Sequence, residues 1–176
     1  STTVYSETSN FRLLTNDFKP ITSSDKWTYF ENEKAIGVAP ATAEGDFGSA
    51  LIVKNWAIYN FILKKIIFRI GNENKIGGQI FSAEMQLIFV LNANYFPPGK
   101  RKFLETNNLV ISMPFLQVEG KGTRLFEFMN LNAFTLNPSV SVGMSRDIKL
   151  HQIFVHQPSF MYTGTLTYPD CQAALW

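Results

Sequence analysis

From Phe47 onward apolar and polar residues fall into short runs with the two-residue alternation of strands. Residues 50–53, 56–63 and 65–70 are rich in β-branched and aromatic side chains and bounded by Gly or Asn. Gly77-Gly78 separates 72–76 from 79–81 and predicts a hairpin, after which 83–92 reads as a long, mostly apolar strand that belongs inside a sheet. Pro97-Pro98-Gly99 followed by Lys100-Arg101-Lys102 predicts an exposed loop, its basic triplet a solvated surface. A further strand is expected over 109–118. Residues 124–134 place Leu125, Phe128, Met129 and Asn132 at helical spacing and predict one surface helix. Residues 152–155 are strand-like, a final block runs over 159–176, and no internal repeat is present.

The first 26 residues differ: ten are Ser or Thr and periodicity is weak, which predicts an extended arm (1–26) laid over a surface or a partner, ahead of one domain (27–176). The 176 residues are 45% hydrophobic and 14% aromatic, enough for one core. Sixteen Lys and Arg nearly cancel fourteen Asp and Glu, so no electrostatic footprint points to nucleic acid. The longest apolar stretch, 61–70, is broken by Lys64 and Lys65, short of the roughly 20 residues a membrane span needs. Cys171 is the lone cysteine, and the one near-sequon, Asn137-Pro138-Ser139, is blocked by proline. Both mildly favour an intracellular or organellar compartment over secretion. The sequence opens at Ser1 without an apolar leader, so any targeting peptide is expected to lie outside it.

Three blocks in the same order resemble the α-type carbonic anhydrase family. Ile66-Ile67-Phe68-Arg69-Ile70-Gly71 is similar to the family's Phe-His-Phe-His-Trp-Gly strand, which carries two zinc-binding histidines. Ser82-Ala83-Glu84-Met85-Gln86-Leu87-Ile88-Phe89 is similar to Ala-Ala-Glu-Leu-His-Leu-Val-His, whose first histidine is the third ligand. Tyr162-Thr163-Gly164-Thr165-Leu166-Thr167-Tyr168-Pro169-Asp170-Cys171 resembles Tyr-x-Gly-Ser-Leu-Thr-Thr-Pro-Pro-Cys and is the strongest of the three. Between the second and third, residues 108–118 resemble a further strand of the family, so the likeness covers 57–176. It implies a mainly β fold, a twisted mixed β-sheet of α-carbonic anhydrase type with a few short surface helices. Domains of that family continue past the position of Trp176, so a C-terminally shortened version is expected, completed by more chain or by a partner.

The family's chemistry uses a zinc held by three neutral imidazoles, with the pKa of its bound water lowered to about 7. The resemblance places Ile67, Arg69 and Gln86 at those three positions. Ile67 has no lone pair, Arg69 is permanently cationic, and Gln86 is a poor ligand for zinc, so no metal and no other cofactor is expected. His151 and His156, the only histidines, have no recognised ligand spacing. Strand alternation puts Ile67 with Arg69 and Glu84 with Gln86 on shared faces. The resemblance adds Glu73, Thr167 and Tyr168 to this vestigial pocket. It also makes Arg69 the expected partner of Glu84 or Glu73, a cation standing in for the lost one.

Catalysis is therefore not expected. The leading reading is a carbonic anhydrase-like pseudoenzyme, a structural or interaction subunit whose partners are other protein subunits. The alternative is a binding module whose vacated cleft takes a small anion or a glycan. An active carbonate dehydratase with relocated metal ligands is the weakest reading.

Overall fold

The computed structural model describes residues 11–31, 34–54, 57–71, 78–94, 106–117, 119, 125, 127, 129–130, 140–144, 146–150, 161, 163–166 and 171–176. Ten strands form one mixed sheet: β1 (Phe11–Phe18), β2 (Lys26–Phe30), β3 (Ala35–Val38), β4 (Gly48–Lys54), β5 (Ala57–Ile70), β6 (Ala83–Leu91), β7 (Asn108–Phe115), β8 (Ser141–Gly143), β9 (Thr163–Thr165) and β10 (Ala173–Leu175). Their order is β8-β2-β3-β5-β6-β7-β10-β9, with β4 pairing β5 and β1 pairing β4 off that path. Every described strand pair is antiparallel except β10 with β7.

The centre of the sheet is β5, 14 residues long. Its lysine pair suggests a break in the sequence, yet the strand continues: the register with β6 slips once, between Leu63 and Lys65. A bulge absorbs one residue so that Lys64 and Lys65 both stay off the core face, and an apolar strand carries two cations without interruption. Lys64 Nζ donates to the carbonyls of Gly45 (2.7 Å) and Ala43 (3.2 Å). At its far half β5 is flanked by β3 and at its near half by β4, which is how one strand joins two sub-layers.

One face of the sheet is the core. Phe61, Leu63, Ile66 and Phe68 of β5 oppose Leu91, Phe89, Leu87 and Met85 of β6, and Leu109, Ile111 and Met113 of β7 extend the layer. Trp27, Ile21, Met144, Ile148 and Leu150 join the same cluster. Their burial is the dominant favourable term in the fold. Ile21 and Ile148 exchange backbone hydrogen bonds of 2.9 and 2.8 Å, tying chain near the start to chain near residue 150.

Short strands β2 and β3, which alternation does not reveal, lie between β8 and β5. Within the expected 1–26 arm, residues 11–18 form β1 on β4, and Phe18 packs its ring 6.1 Å from Phe89. Of the expected 124–134 helix, residues 125, 127, 129 and 130 are described. Leu125 and Glu127 are helical and the Met129 N–H donates to the Leu125 carbonyl at 2.9 Å, but Asn130 turns the chain with φ +54. A residue in the left-handed region ends a helix. The hairpin half 72–77, the loop 95–105 with its basic triplet, and the strand-like 152–155 lie outside the described residues. No helix among the described residues is long and apolar enough to cross a membrane.

Candidate functional site

The face of the sheet opposite the core carries the site. Ile67 stands directly across from Gln86, and Arg69 from Glu84, in the β5–β6 register. On the next strand Ser112 stands across from Gln86 and Pro114 from Glu84. Residues in direct register across antiparallel strands share a face, so six positions from three strands lie side by side here. Proline is tolerated here because β10 reaches only Asn108 and Leu109 of β7, leaving that edge unpaired at residue 114 among the described strands.

The polar members interlock. Gln86 Nε2 donates to Glu84 Oε1 at 2.8 Å, and Ser112 Oγ donates to the same oxygen at 2.7 Å. Glu84 is 0% exposed, Gln86 2% and Ile67 1%, so these three are closed off from solvent, while Arg69 and Ser112 are partly exposed. A buried carboxylate is tolerable only with such donors around it. Ile67 is not part of the main core cluster, so its burial belongs to this second face.

Gly37 of β3 pairs with Ile67 on the other side of β5. A Cβ on Gly37 would clash with the ring of Phe30 and stand 2.7 Å from the Ile66 carbonyl oxygen, so this position needs glycine for close approach. The Phe30 ring in turn lies 4.9 Å beneath the Lys65 ammonium, a cation–π contact. Phe30 thus covers the strand edge beside Ile67.

Of the seven expected pocket residues, Ile67, Arg69, Glu84 and Gln86 come together on this face. Glu73, Thr167 and Tyr168 lie outside the described residues, as do His151 and His156. Ser112 is the member that sequence reasoning misses. Its signal is faint: a small hydroxyl at every-second spacing with Val110 and Pro114, meaningful only once the β6–β7 register is known.

Zinc does not fit the donor set these strands offer. An aliphatic chain, a guanidinium and an amide whose NH₂ is committed to Glu84 supply no imidazole or thiolate nitrogen or sulfur ligand. No group of three or more His, Cys, Asp or Glu among the described residues is placed to hold a metal ion.

The architecture is that of the α-carbonic anhydrases. The chain superposes on the α-carbonic anhydrase of Photobacterium profundum with a TM-score of 0.64 and 14% identity, covering 94% of this chain and 64% of that one. The fungal α-carbonic anhydrase of Aspergillus oryzae gives a TM-score of 0.63 and 18% identity, with 98% and 64% covered. Dioscorin, solved in complex with ascorbate, gives 0.61 and 17%, with 94% and 60% covered. This chain therefore spans about 60–64% of the length of those structures. No sequence-family model and no curated protein sequence matches it. At this identity the likeness fixes the fold and leaves function to be argued from the site.

Proposed function

We propose that this chain is a non-catalytic protein of carbonic anhydrase fold, a structural or interaction subunit of a larger protein assembly. The observation that carries the reading is the closed cluster itself. At the positions that the resemblance aligns with zinc ligands stand a buried Ile67, Arg69, and a Gln86 whose amide is engaged by Glu84. A zinc-activated water needs three imidazoles and an open fourth position, and neither is offered by these side chains.

The test is direct: zinc analysis by mass spectrometry with a carbon dioxide hydration assay on the purified protein. The expected outcome is substoichiometric zinc and no turnover above the uncatalysed rate. Stoichiometric zinc with turnover overturns the reading.

Within the same proposal, Arg69 pairs with Glu84, its neighbour across the β5–β6 register, or with Glu73. Removing one partner of a buried pair leaves an uncompensated charge. Arg69→Met is then expected to lower the melting temperature by several degrees, and an unchanged thermal scan discards the pairing.

The second reading is a ligand-binding module, for a small anion or a glycan. Dioscorin, with its bound ascorbate, is a protein of this fold that takes a small molecule. The burial of Glu84, Gln86 and Ile67 favours the subunit reading, because a binding cleft presents its polar groups to solvent.

A further inference from the structure

A shallow, open depression of about 240 Å³ lies on the same sheet face as Glu84, toward the other end of β5 and β6. Ile62 and Val90, directly opposed in the register, form its apolar wall with Ala93. Glu44, Lys64 and Asn92 form the polar side. Its volume is below the roughly 300 Å³ where drug-sized pockets begin, so it suits a small metabolite.

The polar groups are fixed in a particular way. The Lys64 ammonium has three protons, and two are donated to the Gly45 and Ala43 carbonyls. That anchoring holds the charge at the cavity wall and leaves one proton for a ligand. Asn92 accepts the Asn94 N–H on Oδ1 at 3.1 Å, which orients its amide and leaves the NH₂ as donor. Asp46, also at the cavity, is already answered by Lys19 Nζ at 2.7 Å and the Gly48 N–H at 2.8 Å. Burial pushes its carboxyl up, but Lys19, the Gly48 N–H and the nearby Lys64 charge together outweigh that and hold it below the ordinary value. Glu44 is exposed and makes no ion pair among the described residues.

One pair of donors, the Glu44 carboxylate beside an Asp46 already paired with Lys19, and an aliphatic wall therefore surround the same small space. We infer that this cavity binds an apolar α-amino acid as its zwitterion. The ligand carboxylate meets Lys64 Nζ and Asn92 Nδ2, its ammonium meets Glu44, and its side chain lies on Ile62, Val90 and Ala93. A simple anion or a simple amine satisfies only half of this set, which makes the pairing of charges the basis of selectivity. The inference does not rest on the Glu84 cluster, and zinc or turnover there leaves it untouched.

The experiment is calorimetric titration of L-leucine into the full chain, with 4-methylpentanoate and isopentylamine as comparators lacking the amine and the carboxylate. Leucine is expected to bind saturably, and each comparator about tenfold more weakly, the loss of one charge-assisted contact. Glu44→Gln is expected to weaken leucine about tenfold while leaving 4-methylpentanoate binding no weaker, so that the second ligand reports an intact cavity. Absence of saturable leucine binding, comparators that bind as tightly as leucine, or equal leucine affinity in the Glu44→Gln variant each overturn the inference.

Discussion

Chemical unfolding of a Gln86→Leu variant is expected to show a loss of about 1.5–3 kcal/mol, the range for a hydrogen bond to a charged group. Gln86 Nε2 and Ser112 Oγ both serve Glu84 Oε1. With one donor gone the other remains, so Ser112→Ala alone behaves similarly, and the double variant is expected to lose more than the sum of the two. Leaving a fully buried carboxylate without either donor costs its desolvation outright. The opposite change tests the same physics. Glu84→Leu combined with Gln86→Leu is expected to be more stable than Gln86→Leu alone, because removing both partners of a buried polar contact is cheaper than removing one. If Gln86→Leu unfolds at the wild-type denaturant midpoint, the cluster is not a structural unit and the closed-site argument fails.

Phe89→Ala is expected to cost about 3–5 kcal/mol, the value for truncating a large core aromatic. Phe89 is 0% exposed, opposes Leu63 on β5 and Leu109 on β7, and meets the Phe18 ring at 6.1 Å with planes tilted by 43°. A tilted pair of this kind adds to the area term. The variant therefore does two things, opening a cavity in the main cluster and loosening the end of β1. Equilibrium unfolding reads the first. Limited proteolysis within residues 11–18 reads the second, and cleavage there no faster than in the wild type would show that β1 is held by its β4 ladder alone.

How much of this lies open in the sequence depends on strand length. The apolar alternation of β4, β5, β6 and β7 is long enough to register: β4 and β6 emerge close to their expected bounds, β7 ends at Phe115 instead of 118, and the two runs expected at 56–63 and 65–70 form the single strand β5. Strands β2 and β3 are five and four residues long, with Thr28, Tyr29 and Gly37 among them, and such short runs carry no usable period. The Lys64-Lys65 pair breaks the pattern of β5 because a bulge is a backbone event that composition does not encode. At the site, two-residue spacing suffices to group Ile67 with Arg69 and Glu84 with Gln86. It does not say which residue of β5 meets which residue of β6, nor that Ser112 arrives from β7. Register is a property of three strands at once.

The exchange of hydrogen bonds between Ile21 and Ile148, the Ser23 N–H on Asp147 Oδ1 across 124 residues, and the β2–β8 ladder all join early chain to late chain. As the protein emerges from a ribosome, β3 can reach β2 at once, but the outer edge of β2 waits until residues 141–143 have been made. For most of synthesis that edge is an open template for other nascent chains. Closing a loop of that length adds an entropic cost that contacts nearer in sequence do not carry, so the β2–β8 seam is expected to be among the later contacts to form.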